Sequence, residues 1–171
     1  MKRLNKDFYL QESVELAKQL LGKTLVRKLD DGSMKKYKIT ATEAYYGGED
    51  KACHASKGRT SRTEVMFQQG GKVYVYMIYG LYWMFNVVAG EENAPQAVLI
   101  CGIGDIKGSG RVGRELQIDK SFYGEDLLVS ERIWIENGDE KPNFIEKKRV
   151  GVDYAGEWKD KLWRFELIEH R

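Results

Sequence analysis

The sequence contains few of the residues that mark several common protein classes. Its 171 residues include two prolines and two cysteines, Cys53 and Cys101. Two cysteines cannot build a disulfide framework, so we expect free thiols in a reducing compartment. No apolar run reaches membrane-spanning length, and the first residues, MKRLNKDFYL, lack the apolar core of a signal peptide. We therefore expect no membrane association and a location in the cytoplasm, or in the nucleus of a eukaryote.

The excess of positive over negative charge is also small, because the formal net charge is only +2. This value does not by itself indicate a nucleic-acid partner. The basic residues nevertheless form three groups along the chain: Lys57, Arg59 and Arg62; Lys107, Arg111 and Arg114; and Lys147, Lys148 and Arg149. Scattered surface charge is the simplest interpretation of such groups when they are taken alone.

The content of 42% hydrophobic and 32% charged residues is typical of a globular protein, and the length predicts one domain over residues 1–171. Residues 12–21 have helical spacing, with Ser13 as a candidate N-cap and Gly22 as a terminator. Residues 104–118 predict a glycine-rich loop that leads into a short helix. Strand patterns occur at 24–29, 35–46, 72–79, 81–88, 96–103, 131–136, 143–150 and 162–168. We therefore predict an α+β domain dominated by antiparallel strands.

One stretch, TATEAYYGGEDKACHASKGR (40–59), combines a strand pattern with residues that carry chemistry. In a regular strand Glu43 shares a face with Ile39 and Ala41, the face expected to point into the core. A carboxylate there is costly unless it is paired or lines a wet pocket. The pattern leaves a buried ion pair and a catalytic role open for Glu43, and a structural or functional role open for His54.

The segment around Gly80 predicts a hairpin rich in aromatic residues. Five of them crowd within ten positions: Tyr74, Tyr76, Tyr79, Tyr82 and Trp83. Aromatic residues inside a strand usually belong to the core, but Tyr79 is next to the turn, and turns lie at the surface. Exposed aromatic rings suit stacking on bases, and a wedge at a hairpin tip can open a duplex step.

Other combinations predict chemistry less well. Cys53 and His54 are neighbours whose side chains point apart in an extended chain, which disfavours a nucleophile pair. With Cys101 they still lack the paired spacing of a zinc site, so we expect no metal or other cofactor.

Over nearly its whole length the sequence resembles the alkyladenine (3-methyladenine) DNA glycosylase family. The matching motifs are TEAYYGGEDKACHASKGRT, MFQQGGKVYVYMIYGLYWMFNVV, IDKSFYGEDL, RVGVDYAGEW and LWRFEL. The resemblance implies a single mixed α+β domain with a curved, mainly antiparallel sheet, flanking helices and a protruding hairpin that inserts into DNA. It also implies a monofunctional, metal-independent DNA glycosylase of base excision repair. Such an enzyme flips damaged purines (3-methyladenine, 7-methylguanine, hypoxanthine, ethenoadenine) out of double-stranded DNA and hydrolyses their N-glycosidic bonds, and we expect it to be a monomer.

The resemblance also implies roles for individual residues. Glu43 matches the glutamate that activates the attacking water. Tyr45, His54 and Tyr76 match the residues that enclose the flipped base, and Asn86 matches the asparagine that discriminates against normal guanine. Tyr79 matches the tyrosine that fills the gap in the base stack. Basic residues expected on the DNA backbone are Arg59, Arg62, Arg111 and Arg114.

The chain departs from the family pattern at two positions near the expected DNA surface. Cys101 stands where the family usually has an arginine, and Arg111 stands where a proline is usual. These departures keep an alternative open, a lesion-binding module with little or no catalysis. A magnesium-dependent nuclease using Glu43, Glu49 and Asp50 is a further alternative.

The proposed base pocket also makes a prediction about the hairpin. A three-residue turn that starts at Gly80 would place Tyr76 opposite Asn86, whereas a two-residue turn would place it opposite Phe85. The pocket favours the first register, or a bulge with the same effect. We therefore predict that Tyr76 and Asn86 point to the same side of the sheet.

Overall fold

The computed structural model describes residues 2–138 and 142–168. In this part of the chain the helices and strands are α1 Lys6–Tyr9, α2 Ser13–Leu20, β1 Thr24–Lys28, β2 Met34–Tyr46, β3 Val73–Ile78, β4 Tyr82–Val88, β5 Gln96–Ile103, β6 Ile106–Lys107, α3 Ser109–Glu115, β7 Ile133–Glu136, β8 Phe144–Lys147 and β9 Arg164–Leu167. Four 3₁₀ segments lie between them, at His54–Lys57, Glu64–Phe67, Lys120–Phe122 and Asp153–Asp160. Within the described ranges no helix is both long enough and apolar enough to span a bilayer.

The strands form one sheet whose described pairs are all antiparallel. Its main order is β3-β4-β5-β2-β1-β7, with β6 beside β5 and β8 beside β9. Strand β2 is central, because its first half pairs with β1 and its second half lies between β5 and β9. The predicted α+β class with a curved, mainly antiparallel sheet is confirmed.

Helix α2 matches its prediction closely at one end and differs at the other. Gly22 follows the helix with φ +83°, as expected for a terminating glycine. The N-cap residue is Glu12, so the prediction that Ser13 caps the helix is wrong. Ser13 is already inside the first turn, where its buried N–H donates to Gln96 Oε1 at 2.7 Å.

Paired irregularities in β2 and β5 reverse the side-chain alternation just before Glu43. The register changes between Ile39 and Ala41 and again between Ala41 and Thr42. Ile39 belongs to the main core, but Thr42 continues on that face, where its hydroxyl donates to the carbonyl of Ala17 at 2.8 Å. The expectation that Glu43 shares the face of Ile39 is therefore wrong, because the bulge turns Glu43 to the opposite side.

The main core fills the face of the sheet that α2 covers. The helix buries Leu16, Ala17 and Leu20 there, and these residues pack with apolar side chains of β1, β2 and β5. Burying each such leucine stabilises the fold by about 1.5–3 kcal/mol. Because this face is filled, the other face of β2 and β5 is the one available for a binding cavity.

The β3–β4 hairpin closes through a three-residue loop, Tyr79–Leu81. The loop begins one residue earlier than expected, because Tyr79 itself adopts the left-handed conformation, with φ +54°. Tyr76 consequently lies opposite Met84, and neither predicted register is right. Tyr76 and Asn86 still point to the same side, as predicted, because Met84 and Asn86 are alternate residues of one strand.

Candidate active site

The candidate active site is built on one row of residues that crosses five strands. Neighbours in this row are directly paired, in the order Arg164 (β9), Glu43 (β2), Leu99 (β5), Asn86 (β4) and Tyr74 (β3). Paired residues of antiparallel strands point to the same side of the sheet. The row thus places two residues distant in sequence, Glu43 and Arg164, side by side.

Glu43 is a buried carboxylate, 2% exposed, that is held at both oxygens. Oε2 accepts hydrogen bonds from the Arg164 guanidinium and from the Val150 backbone N–H, both at 2.9 Å. Oε1 accepts one from the Tyr45 hydroxyl at 2.8 Å. No other residue of the described ranges donates to Oε1, and a carboxylate oxygen can accept two. Glu43 is therefore both a member of a buried ion pair and a wall of a cavity.

The cavity over Glu43 has a volume of about 390 Å³, within the usual range for small-molecule sites. Its walls include Tyr45, His54 and Tyr76, the three residues predicted to enclose a base. The His54 and Tyr76 rings meet edge to face with centroids 4.5 Å apart. His54 comes from the irregular stretch after β2, so this stretch supplies one wall of the cavity.

His54 is held neutral by its surroundings. Its Nδ1 lies 2.8 Å from the hydroxyl of Tyr74. Burial, together with the cations of Arg62 and Lys57, lowers the pKa of His54 to about 4. The imidazole is thus uncharged at neutral pH, and the nitrogen not used by Tyr74 is available to a ligand.

Two further ionisable groups beside Glu43 also stay neutral. Burial, reinforced by the charge of Glu43, raises the pKa of Tyr45 well above its usual value, so Tyr45 keeps the proton that it donates. Burial raises the pKa of Cys101 in the same way, and its thiol contacts the carbonyl of Leu99 at 3.5 Å. Cys101 thus lines the cavity as a neutral group, and the guanidinium next to Glu43 comes from Arg164 instead.

Asn86 lies deeper than the cavity itself. It lines a small recess of about 20 Å³ together with Tyr74, Tyr76 and Ala97, which is room for about one water molecule. Its Nδ2 donates to the Tyr74 carbonyl at 3.2 Å. Tyr45, His54 and Tyr76 thus line both the cavity and the recess, whereas Asn86 lines only the recess.

Tyr79 occupies the rim of the cavity at the tip of the hairpin. Its side chain is 90% exposed, so its ring contributes almost no burial to the fold. A left-handed backbone at a non-glycine residue costs about 1–3 kcal/mol. The hairpin therefore presents an aromatic ring to solvent at a cost to stability, next to the cavity that it borders.

The four arginines expected on the DNA backbone have different surroundings. Arg59 is engaged by Glu64 through two hydrogen bonds of 2.7 and 2.8 Å. Arg62 lies with its guanidinium 5.2 Å from the centre of the Tyr76 ring. Only Arg62 of this first pair therefore borders the aromatic walls of the cavity.

The second pair lies on α3, the short helix predicted after the glycine-rich loop. Arg114 packs its guanidinium 5.0 Å from the ring of Tyr82, and Arg111 is exposed. The helix reaches the hairpin because Gly113 allows a close approach, since a Cβ there would lie 1.8 Å from the Trp83 carbonyl oxygen. Arg114 thus flanks the hairpin, and Arg111 lies on the same helix.

A second buried ion pair supports the cavity from behind. Arg149 and Asp50 form two hydrogen bonds of 2.6 and 3.0 Å, and both side chains are 0% exposed. The Arg149 guanidinium also lies 4.9 Å from the centre of the Tyr45 ring. The interpretation of Arg149 as surface charge is therefore wrong, because its partner Asp50 lies in the loop that follows β2.

The described residues bring together no group of three or more His, Cys, Asp or Glu side chains placed to hold a metal ion. Asp50 forms an ion pair with Arg149, and Glu49 is exposed. The nuclease alternative therefore lacks its expected ligand set of Glu43, Glu49 and Asp50.

Three residues of the site were not predicted individually: Arg164, Val150 and Tyr154. Tyr154 lines the cavity with 68% of its surface exposed. All three belong to motifs that contributed to the resemblance, RVGVDYAGEW and LWRFEL. The motifs were the available signal, but no local pattern showed that β9 would lie beside β2.

The antiparallel sheet, the buried carboxylate and the aromatic cavity define a class of protein that can hold a flat ring next to a fixed negative charge. A family model described as Methylpurine-DNA glycosylase (MPG) matches residues 7–107 and 105–171. The chain therefore belongs to the methylpurine-DNA glycosylase family, enzymes that hydrolyse N-glycosyl bonds in DNA.

Similar proteins agree with this assignment over almost the full length. A protein of Natranaerobius thermophilus named "Putative 3-methyladenine DNA glycosylase" is 41% identical over 98% of this chain and 96% of its own. A protein of the same name from Legionella pneumophila strain Lens is 43% identical over 99% and 97%. One from Methanocella arvoryzae is 40% identical over 95% and 90%.

Proposed function

We propose that the protein is a monofunctional glycosylase of base excision repair that removes 3-methyladenine and related damaged purines from double-stranded DNA. One observation carries the proposal. The buried carboxylate of Glu43 keeps an acceptor position on Oε1, at the floor of a cavity walled by Tyr45, His54 and Tyr76. A water molecule bound there can be deprotonated as it attacks a ring held by the aromatic walls.

The contacts of Glu43 assign different tasks to its two oxygens. Arg164 and the Val150 N–H fix Oε2, so the carboxylate is held in place while Oε1 accepts the proton of the water. As the N-glycosidic bond breaks, positive charge develops at C1′, and the nearby carboxylate stabilises it. The products are the free base and an abasic site, and the strand stays intact.

The flipped base is held by stacking. Extruding a nucleotide costs a few kcal/mol, least for a damaged or mispaired base. Tyr45, His54 and Tyr76 offset this cost inside the cavity, and the exposed Tyr79 ring fills the space left in the duplex. Asn86 lines the adjoining recess, where it faces the edge of a base held by these walls.

The expected substrate range follows from the side chains that line the cavity. Alkylation at N3 or N7 leaves a purine nucleotide with a positive charge, and aromatic faces attract such a ring. Because His54 is uncharged, it does not repel this cation. Neutral damaged purines such as hypoxanthine and ethenoadenine bind by stacking and by the hydrogen bond that the free His54 nitrogen makes.

The test is single-turnover base release from duplexes that carry one 3-methyladenine or one hypoxanthine, in a buffer with a metal chelator. Glu43→Gln keeps the shape of the side chain and removes the base, and we expect its rate to fall by about 10²–10⁴. Glu146→Gln is the control, because Glu146 is an exposed residue of β8. The DNA strands should break at the abasic sites only after treatment with alkali.

Three outcomes would contradict the proposal in different ways. Equal rates for wild type and Glu43→Gln would show that Glu43 is not the base. Binding of lesion duplexes without any release would indicate the lesion-binding module instead. Release that stops in the chelator would indicate a metal-dependent enzyme.

A further inference from the structure

A second concave site lies next to the cavity and is not used by the reaction described above. This site, which we name the basic cleft, has a volume of about 210 Å³, and three cations line it: Lys51, Lys57 and Arg62. It shares two wall residues, His54 and Tyr154, with the cavity over Glu43. A single layer of side chains thus separates the two.

The three cations of the basic cleft are not neutralised within the described ranges. No carboxylate of residues 2–138 or 142–168 forms an ion pair with Lys51, Lys57 or Arg62. The neighbouring Arg59 shows the contrast, because Glu64 binds it through two hydrogen bonds. A concave wall that gathers like charges concentrates their potential and attracts an anion.

The effect of this charge is visible at the shared wall. His54 has a lowered pKa, for which burial is the first cause and Arg62 and Lys57 are the next. Tyr154, the other shared residue, has 68% of its surface exposed and presents its ring at the boundary between cleft and cavity. An elongated ligand that is flat at one end and anionic at the other would fit across this wall.

We propose that the basic cleft binds a phosphate group of the DNA strand, the one attached to the nucleotide whose base occupies the cavity. The inference rests on the proposed function, because it needs a flipped nucleotide. A base and its own phosphate are joined by one sugar, so a base beyond the His54–Tyr154 wall leaves its phosphate close to that wall. Lys51, Lys57 and Arg62 neutralise the phosphate, and the Tyr154 ring packs against the sugar.

The first experiment measures the salt dependence of binding to a duplex with one hypoxanthine. All proteins carry Glu43→Gln, so that binding reaches equilibrium without base release. Lys51→Ala plus Lys57→Ala removes two of the three cations and should lower the slope of the logarithm of the association constant against log salt by up to about 1, the value for one lost phosphate contact. Lys36→Ala is the matched control, because Lys36 lies on β2 beside Glu136 and outside the cleft.

The second experiment identifies the phosphate. Each phosphate flanking the lesion is replaced in turn by an uncharged methylphosphonate. One replacement should weaken binding by the protein with an intact cleft and have a smaller further effect on the double lysine variant, because only Arg62 still faces that phosphate there.

The inference is overturned if the double lysine variant keeps the parental slope, or if every methylphosphonate weakens both proteins equally. Unfolding in urea checks that the lysine variants are folded, as expected for exposed side chains. Failure of the proposed function looks different, since the protein without the Glu43→Gln change would then release no base, whatever the salt slopes of the variants.

Discussion

Asp50–Arg149 and Glu43–Arg164 both pair a buried carboxylate with an arginine. We call the first pair closed, because donors fill both oxygens of its carboxylate, and the second pair open, because one oxygen keeps an acceptor position within the described ranges. In the closed pair, each oxygen of Asp50 accepts two hydrogen bonds, one from Arg149 and one from the backbone N–H of Ala52 or Tyr46. In the open pair, Oε1 of Glu43 accepts a single one within the described ranges.

Under the proposed function, this difference separates a structural carboxylate, Asp50, from a reactive one, Glu43. A carboxylate whose acceptor positions are all filled by fixed donors can only hold the fold together. One acceptor position left toward a cavity lets a carboxylate bind water while two donors to its other oxygen keep it in place. The Arg164 side chain is also 18% exposed, whereas that of Arg149 is fully enclosed. The following variants test this division.

Breaking the closed pair should have the largest effect on stability. We expect Arg149→Met to lower the free energy of unfolding by about 3–5 kcal/mol, because it leaves Asp50 buried without its charge partner. Unfolding in urea measures this loss. Adding Asp50→Asn should restore part of it, since the two changes remove the same interaction. A loss no larger than that of an exposed ion pair would show that the pair is not structural.

Breaking the open pair should cost less stability and more activity. We expect Arg164→Met to lower the free energy of unfolding by about 1.5–3 kcal/mol, the range for one hydrogen bond to a charged group. Base release should slow by on the order of 10²-fold, because Glu43 loses the donor that fixes Oε2. Arg164→Lys should recover part of the rate. Unchanged release by a folded Arg164→Met variant would remove Arg164 from the site.

Removing the Tyr45 hydroxyl, the one donor to Oε1 within the described ranges, should have a smaller effect. Tyr45→Phe keeps the ring beside Arg149 but loses its hydrogen bond to Glu43, and we expect it to lose less stability than Arg164→Met because no charge is removed. Base release should fall by less than in Arg164→Met, since Oε2 is still held. Tyr46→Phe is the control, because its hydroxyl contacts Glu12 outside the cavity. Equal effects of the two variants would contradict a special role for the Tyr45 hydroxyl.

The last effect concerns pH and His54, and it is absent at neutral pH. Its folded pKa of about 4 lies below the usual 6.5, so the unfolded chain takes up a proton between these values that the folded chain does not. The contribution of His54 to stability is fully present above pH 6.5 and is lost as pH falls toward 4. NMR titration should show the low pKa, and His54→Gln should flatten the decline. A titration near 6.5 would mean that the wall is more hydrated than the structure indicates.

Local patterns predicted much of the fold. The strand segments, α2 and the helix after the glycine-rich loop all occur where periodicity and glycine placed them, because these signals act within a few residues. The predicted register of the hairpin was wrong, because the left-handed backbone of Tyr79 makes the loop begin one residue earlier. For helix α2, only the predicted N-cap residue was wrong.

The sequence by itself determined which residues are candidates for the chemistry: Glu43, the aromatic residues around it and the motifs that contain Arg149 and Arg164. Only the tertiary structure decided what each of them contacts. The irregularities before Thr42 set which face of the sheet Glu43 lies on. The pairing of β9 with β2 places Arg164 beside Glu43. The physical reason is that strand pairing joins residues far apart in the chain, and their contacts depend on register rather than on any local pattern.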